Sequence, residues 1–319
     1  MKILNFGSLN IDYVYTVDHM VIKGETEFSD SRATFPGGKG LNQSVAMARA
    51  GLEVYHAGNI GSEGVLLKEL LESAGVNTTY VRILQNMPSG HTIIQNDKDG
   101  DNCILLFGGA NRAVTKEQID ATLGYFGKGD VCVLQNEISN IPYLVEKAHE
   151  REMTIVLNPS PMDRKIMALP LEYVSLLFVN EIEAQQLLDA KKEGGAPNSD
   201  IDMETAASSV PSQYRKMAEA LLKTFPNMKI VLTLGGDGSA YIDMMGIQYQ
   251  ECVPTKAVDT TAAGDTFSGY FLEGILSGMK PKEALRLASK AASIAVSRKG
   301  ASSSIPKRKE VMLQRNTPQ

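Results

Sequence analysis

The sequence predicts an α/β protein with a doubly wound, mainly parallel sheet flanked by helices and accompanied by a small β-sheet lid. Three observations lead to this prediction. Short, almost continuously apolar runs alternate with helical segments, as expected when parallel strands are covered on both faces. The 28 glycines stand mostly between apolar runs, where tight connections are needed. Two strand-like regions, at about 13–36 and 90–108, fall outside the alternation.

The alternation can be followed along the chain. Strands are predicted at 3–6, 54–60, 131–134, 154–157, 176–179 and 230–234. Helices are predicted between them at 41–50, 64–74, 116–126, 141–152, 181–190 and 214–224, followed by two successive helices at about 266–277 and 281–297. Residues 191–213 are small, polar and interrupted by Pro and Gly, which indicates a mobile surface insertion in a single domain spanning 1–319.

The two strand-like regions could form a separate sheet. The second is typical of a hairpin, with strands at 91–95 and 103–107 around a turn at 97–101. Beside a substrate cleft, such a sheet would be a lid that excludes water. An ordinary edge hairpin is the simpler interpretation.

Composition limits the class of protein. A net charge of -5 and an isoelectric point near 5.5 argue against nucleic acid or an anionic membrane as the main partner. Cys103, Cys132 and Cys252 are widely spaced in apolar runs, which indicates buried thiols in a reducing compartment and no disulfide framework. No apolar run approaches the length of a membrane span, and residues 2–6 resemble a first strand rather than a signal peptide. We therefore expect a soluble, cytoplasmic protein.

The most informative motif is Asp259-Thr-Thr-Ala-Ala-Gly-Asp265-Thr-Phe267, a turn of small residues that leads into an apolar helix. Unpaired N–H groups at the start of a helix can bind phosphate without lysine. An aspartate is unexpected beside a phosphate unless it removes a proton from the group that attacks the phosphate. The alternative is that Asp265 is simply a helix N-cap.

Two motifs near the N-terminus suit a small polar ligand. Asn10 and Asp12 follow the first strand and offer the donor and acceptor that a polyol needs, although they also fit a simple Asx turn. The loop Gly38-Lys39-Gly40-Leu-Asn42 is not a Walker A motif, because Gly40 stands where Ser or Thr is required. Its glycines still permit a ligand to approach the backbone closely.

Two further motifs follow later strands. Asn180 and Glu183 have the i, i+3 spacing that could hold a hydrated Mg²⁺ near phosphates, and they equally fit a capping box. The segment Thr233-Leu-Gly-Gly-Asp-Gly238 is either a tight turn that needs positive φ or a glycine turn over a nucleotide. The four histidines fall in no metal-binding spacing, and no nucleophile elbow is present, so hydrolase and metalloenzyme hypotheses lack support.

In this order, the motifs closely resemble those of the PfkB (ribokinase-like) carbohydrate kinase family, from Gly7 to about Pro306. Within the family the likeness is greatest to the ribokinase branch, because of the form of the first glycine loop, Asn158-Pro-Ser-Pro161 and the ending 296–306. The resemblance implies transfer of the γ-phosphoryl group of ATP to the 5-hydroxyl of ribose, with Mg²⁺ and an activating monovalent cation such as K⁺.

The resemblance also implies roles for individual residues. Asp265 would be the general base, and Ala263 and Gly264 would form the anion hole. The sugar would be held by Asn10, Asp12, Gly38, Lys39, Gly40, Asn42 and Glu137. ATP would contact Asn180, Thr233, Leu234, Gly235, Gly236, Asp237, Gly238, Gly264 and Ser289. Glu183 would organise Mg²⁺ indirectly. The monovalent cation would lie at Asp259, Thr261, Ala295, Arg298, Gly300 and Ser304.

Departures from the family pattern leave alternatives open. Leu41 is bulkier than the alanine usual at its position, and Ser289 stands where a ring or amide often lies beside adenine. A fructokinase, deoxyribokinase, ketodeoxygluconate kinase or nucleoside kinase of the same fold is the close alternative, and a non-catalytic sugar-binding protein is a more distant one. Members of the family often pair through their lids, which implies a homodimer. A dinucleotide-dependent dehydrogenase is disfavoured, since no G-x-G-x-x-G follows the first strand.

Overall fold

A large sheet forms the centre of the computed structural model, which describes residues 1–99, 101–192 and 210–314. Its nine strands are β1 (Ile3–Phe6), β4 (Val54–Gly61), β5 (Asn77–Leu84), β8 (Val131–Gln135), β9 (Thr154–Asn158), β10 (Leu176–Asn180), β11 (Lys229–Thr233), β12 (Ser239–Asp243) and β13 (Gly246–Gln250). Their order across the sheet is β13-β12-β11-β10-β9-β8-β1-β4-β5. The pairs β11–β12 and β12–β13 are antiparallel and the others are parallel.

The strand order explains where a ligand can bind. The chain leaves β1 for β4 and β5 on one side and later returns to β8 on the other side of β1. Ligands of doubly wound sheets bind beyond the carboxyl ends of the strands at such a reversal. The predicted parallel sheet is therefore confirmed, although β5 and the antiparallel pair β12–β13 were not foreseen as parts of it.

A second sheet of four strands stands apart from the first. It consists of β2 (Asn10–Thr16), β3 (Ser31–Gly37), β6 (Gly90–Asn96) and β7 (Asn102–Phe107) in the order β3-β2-β6-β7. The hairpin β6–β7 is present and antiparallel, as predicted. Asn10 and Asp12 lie within β2, where Asn10 is opposite Gly37 and Gly90, so the Asx-turn interpretation is wrong.

Helices cover both faces of the large sheet. They are α1 (Lys39–Ala50), α2 (Val65–Ser73), α3 (Lys116–Leu123), α4 (Ile141–Glu150), α5 (Glu181–Lys192), α6 (Ser212–Thr224), α7 (Ala263–Leu276), α8 (Pro281–Val296) and α9 (Arg308–Leu313). One apolar core lies under α3–α6 and a second under α1, α2, α7 and α8. Successive strand residues such as Ile3 and Leu4 contribute to opposite cores, as the period of a β-strand requires.

Helix α7 is packed unusually closely between α1 and α8. A methyl group at Gly269 would lie 2.6 Å from the Cβ of Ala46 in α1, and one at Gly274 would lie 2.9 Å from the Cβ of Ala284 in α8. Small residues therefore let three helices meet, and this packing fixes the position of the N-terminus of α7 relative to α1.

Three predictions concern other parts of the chain. Cys132 is buried, but Cys103 is exposed in β7 and Cys252 is half-buried, so the expectation of three buried thiols is wrong. Residues 193–209, most of the predicted insertion at 191–213, lie outside the described residues. Within the described residues, no helix has both the length and the apolar character that crossing a membrane would require.

Candidate active site

The turn before α7 is held in a fixed shape by Asp259. Its carboxylate accepts the N–H groups of Thr261 at 2.9 Å and Gly300 at 2.8 Å, which ties the turn to the loop after α8. Partial burial opposes ionisation of Asp259, but these hydrogen bonds outweigh it and lower the pKa of the carboxyl group. Ala262 then adopts a left-handed conformation, with φ of 60°, and becomes the N-cap of α7.

The first turn of α7 leaves donors available. Among the hydrogen bonds of the described residues, none engages the N–H of Gly264 or of Asp265. Gly264 is exposed, and a methyl group there would meet nothing within 4 Å. Free N–H groups at the positive end of a helix dipole form a site for an anion. The free donors are therefore those of Gly264 and Asp265, whereas the N–H of Ala263 donates to the carbonyl of Thr260 at 3.2 Å, so the anion hole around Ala263 and Gly264 stays a prediction.

Asp265 is not the N-cap of α7, so that alternative is wrong. It lies in the first turn with 8% of its surface exposed, and its carboxylate faces α1. Oδ1 accepts from Nε2 of Gln43 at 3.0 Å, and Oδ2 accepts from Nδ2 of Asn42 at 3.1 Å. Burial raises the pKa of Asp265 above its usual range, and Lys39 and the two amide donors offset part of this rise.

Two cavities meet at this helix terminus. The smaller, of about 220 Å³, is lined by Asp265, Lys39 and Glu183, and the larger has about 490 Å³. The residues that line both are Asn180, Thr233, Thr260, Ala263 and Gly264. A ligand in the larger cavity could therefore extend past the N-terminus of α7 toward the carboxylate of Asp265.

Lys39 supplies the positive charge of the smaller cavity. Burial opposes its charge, but the carboxylates of Asp265, Glu137 and Glu183 outweigh this effect and raise the pKa of Lys39. Glu137 is buried and accepts from the N–H of Lys39 at 3.2 Å and from the hydroxyl of Ser8. Burial raises the pKa of Glu137, while Lys39 and these donors oppose the rise.

Two of the side chains assigned to a polyol, Asn10 and Asp12, each accept a side-chain hydrogen bond. Oδ1 of Asn10 accepts from Nδ2 of Asn111 at 2.7 Å, and Oδ1 of Asp12 accepts from the hydroxyl of Thr92 at 2.6 Å. Oδ1 of Asn42 is buried and has no partner among the described residues. The second carboxylate oxygen of Asp12 thus remains as an acceptor for a ligand hydroxyl group, whereas the amide oxygen of Asn42 is enclosed by the protein.

The glycines of the loop at 38–42 allow close packing within the fold, in addition to any role in ligand binding. Gly38 has φ of 97°, and a methyl group at Gly40 would lie 2.4 Å from the backbone nitrogen of Ser8. Gly40 therefore lets α1 approach the chain beyond β1, and it is buried there. Leu41 is fully buried in the apolar core, so its bulk fills the core.

Asn180 and Glu183 form the capping box that was one of the two alternatives. The N–H of Glu183 donates to Oδ1 of Asn180 at 2.8 Å, and the N–H of Asn180 donates to Oε2 of Glu183 at 3.1 Å. Both residues also line the smaller cavity. The other carboxylate oxygen of Glu183 is outside the box, so the pair fits indirect binding of Mg²⁺ through water.

The turn at 233–238 requires positive φ, as expected, with φ of 54° at Gly235 and 101° at Gly238. These glycines, Thr233, Gly236 and the buried Ser289 line the larger cavity. Leu234 and Asp237 line neither cavity. Leu234 belongs to the apolar core, and the carboxylate of Asp237 accepts from Gln213 at 3.1 Å and Tyr214 at 2.7 Å.

The residues assigned to a monovalent cation come together only in part. Asp259 contacts the backbone of Thr261 and Gly300, and the carbonyl of Ala295 accepts the N–H of Arg298 at 3.0 Å. The Arg298 guanidinium pairs with Glu310, and the hydroxyl of Ser304 donates to its own turn. Carboxylate and carbonyl oxygens at 259, 261, 295 and 300 are suitable ligands for such a cation, whereas the Arg298 side chain is not.

Sequence reasoning missed several residues that shape the site. They are Ser8, Gln43, Thr92, Asn111 and Gln135, each of which contacts an assigned residue or the partner of one. Asn111 follows β7 in a short 3₁₀ helix and comes from about a hundred residues beyond Asn10. No spacing in a single sequence marks such a contact.

Comparison with known proteins gives one family throughout. The sequence model of the pfkB family carbohydrate kinases matches residues 1–308. The chain is 31% identical to a ribokinase of Haemophilus influenzae over 313 residues, which is 96% of this chain and 95% of that protein.

Comparison with solved structures points to the same family. The structure of a Cryptococcus neoformans ribokinase in complex with ADP superposes with a TM-score of 0.82 and 32% identity, covering 98% of each chain. The structure of an Arabidopsis thaliana ribokinase with ribose and ATP has a TM-score of 0.79 and 27% identity, covering 98% of this chain and 97% of that one.

Asp12 generates a testable prediction about stability. Burial raises its pKa from 3.8 to about 6, against the opposing hydrogen bond from Thr92. Between these pH values the folded chain holds a proton that the unfolded chain has lost, so the free energy of unfolding falls as the pH rises from about 4 to 6. Asp12→Asn should flatten this fall and stabilise the chain at pH 7 by about 1–2 kcal/mol.

The measurement is denaturant unfolding at several pH values between 4 and 7. Asp30→Asn removes an exposed carboxylate from the same sheet region and serves as the control, which should keep the wild-type profile. If the free energy of unfolding of Asp12→Asn changes with pH as that of the wild type does, the raised pKa of Asp12 is contradicted.

Proposed function

The chain belongs to the pfkB family of carbohydrate kinases, and we propose that it transfers the γ-phosphoryl group of ATP to the 5-hydroxyl of ribose. The observation that carries this proposal is the position of Asp265, a buried carboxylate in the first turn of α7 where two cavities adjoin. A kinase needs a sugar on one side of such a point and a nucleotide on the other. Ribose is supported by relatives named as ribokinases, one of them solved with ribose and ATP.

In the proposed step, Asp265 accepts the proton of the sugar hydroxyl as its oxygen attacks the γ-phosphorus. A new O–P bond forms, the bond to the bridging oxygen breaks, and ADP leaves with that electron pair. Burial and the raised pKa of Asp265 favour this role, because a base whose pKa lies closer to neutral pH accepts a proton more readily. The free N–H groups of Gly264 and Asp265, with Lys39, would stabilise the charge on the transferred group.

The sugar would lie between β2 and the start of α1. The free carboxylate oxygen of Asp12 and the carboxylate of Glu137 can each receive a hydrogen bond from a hydroxyl group. Asn10 is oriented by Asn111 so that its Nδ2 remains as a donor. This alternation of donors and acceptors suits a small polyol.

The nucleotide would occupy the larger cavity. Gly235, Gly236 and Gly238 offer close approach to the backbone, and Ser289 lies beside them. Glu183 would hold Mg²⁺ through water, and the bound ion would neutralise phosphate charge. The carboxylate of Asp259 and nearby carbonyl groups would hold K⁺, which would add positive potential beside the anion hole. The unpaired cysteines fit the reducing cytoplasm, where we expect the enzyme to act.

The substrate proposal is tested by ADP release with Mg·ATP and a panel of ribose, 2-deoxyribose, fructose, ketodeoxygluconate and nucleosides, each with and without K⁺. We expect kcat/KM to be highest for ribose, by about tenfold or more, and to rise with K⁺. Higher turnover of another substrate would reassign the substrate within the family. Sugar and ATP binding without turnover of any would favour a non-catalytic binding protein.

We also propose that two copies pair through the small sheet. Its edge strand β7 is exposed along its whole length and carries Ile104, Leu105 and Phe107, with 59%, 67% and 49% of their surfaces exposed. An exposed apolar edge strand is a site for pairing with another strand. A second copy of this chain offers the same edge and the same apolar residues, so a symmetric contact would cover both.

Leu105→Glu should therefore weaken self-association, because it places a charge in the proposed contact. Sedimentation velocity should show the wild type at twice the chain mass of 34.6 kDa and the variant shifted toward the monomer. Met245→Glu changes a residue with 86% of its surface exposed in the turn between β12 and β13, and should leave the dimer intact. A monomeric wild type would refute the proposal.

A further inference from the structure

A buried chain of amide side chains leads to Asp265. Gln43 in α1 is 2% exposed, and its Nε2 donates to Oδ1 of Asp265 at 3.0 Å. Its Oε1 accepts from Nε2 of Gln135, at the end of β8, at 2.6 Å. The same nitrogen of Gln135 donates to Oδ1 of Asn5 in β1 at 3.0 Å. Gln135 is 1% exposed and Asn5 is fully buried, so water does not replace these partners.

The direction of every amide in this chain follows from one backbone carbonyl. Nδ2 of Asn5 donates to the carbonyl oxygen of Gly40 at 2.8 Å, and a carbonyl can only accept. Oδ1 of Asn5 must then face Gln135, which therefore presents its Nε2. That nitrogen binds Oε1 of Gln43, so Gln43 in turn presents Nε2 to Asp265. A reversed Gln43 would place its amide oxygen against the carboxylate, with repulsion at both of its ends.

We propose that Gln43 is a positioning residue for Asp265 and that Gln135 fixes the direction in which Gln43 donates. This inference rests on the proposed role of Asp265 as the general base. Oδ1 is held by Gln43 and Oδ2 by Asn42, so the plane of the carboxylate is fixed, and each oxygen keeps a lone pair for the sugar hydroxyl. Neither glutamine donates to the substrate or to ATP in this arrangement.

The Gln43 hydrogen bond also favours the ionised form of the base. The charged groups that act on Asp265 are Lys39, at the start of α1, and Glu137, which follows β8. Burial raises the pKa of Asp265, and donation from Gln43 lowers it. Loss of this donor should therefore raise the pKa further, so that a higher pH is needed to ionise the base.

The test measures kcat for ribose between pH 5 and 9, with KM for both substrates, in Gln43→Met and Gln135→Met. Methionine has a similar length and cannot donate. For Gln43→Met we expect the maximal kcat in the pH profile to fall about tenfold. The acidic side of the profile, where kcat falls as the base is protonated, should move to higher pH by about half a unit to one unit. KM should change less than about threefold, since no substrate contact is lost.

Gln135→Met should shift the acidic limb in the same direction by a smaller amount, because Gln43 remains but is free to reverse. The side chain of Gln135 donates to Gln43 and Asn5 and not to Asp265, so this second variant tests the proposal even if Gln43→Met fails to fold. Gln118→Met is the matched control: Gln118 is also 1% exposed, and its amide donates to Asn59. It should keep the wild-type pH profile.

Failure of this inference can be distinguished from failure of the proposed function. If Asp265→Asn turns over ribose like the wild type, the assignment of the base is wrong, and the inference falls with it. If Asp265→Asn is inactive but folded Gln43→Met or Gln135→Met keeps both the wild-type profile and plateau, the inference alone is wrong. A shift in Gln118→Met equal to that in Gln43→Met would attribute the effect to general destabilisation and would also overturn it.

Discussion

A carboxylate buried at the start of a helix must have hydrogen-bond donors, and those of Asp265 come from a different helix. This requirement governs much of the structure around the site. Helix α7 must lie close to α1, which Gly269 permits against Ala46. The turn before α7 must keep its left-handed residue Ala262, which Asp259 supports by binding the loop after α8. Packing, turn geometry and burial thus all determine where one carboxylate lies.

The site is rich in negative charge before any phosphate enters. Asp265, Glu137 and Glu183 all act on the single ammonium group of Lys39. A polyphosphate would add further negative charge, so its binding depends on the positive end of α7, on Lys39 and on bound cations. The same acidic groups suit a neutral sugar, whose hydroxyl groups need acceptors. Of the residues assigned to the sugar, only Lys39 lines either of the two cavities, which both adjoin the positive end of α7.

Local patterns allowed much of the fold and part of the site to be predicted. The apolar runs predicted the parallel strands, and the i, i+3 spacing of Asn180 and Glu183 predicted the capping box, because both depend on residues near in sequence.

Other features could not be predicted from local patterns. Strand β5 was missed since many of its residues are exposed and its pattern is mixed. The antiparallel direction of β12 and β13 depends on which strands they pair with, and the amino-acid composition of the two segments does not indicate this. The motif assigns Leu234 and Asp237 to a nucleotide, but Leu234 packs in the apolar core and Asp237 pairs with α6, because the side chains of one turn point in several directions. Gln43 and Gln135 act across 92 residues, a contact that no spacing reveals.

The most direct test of this account is the turnover of Asp265→Asn with ribose and Mg·ATP, together with calorimetric binding of ribose. Asparagine has nearly the same shape but cannot accept the proton of the hydroxyl group. The account predicts that kcat falls by about a hundredfold or more while ribose affinity stays within a few-fold of the wild type. A variant that binds ribose and turns it over at close to the wild-type rate would contradict the account.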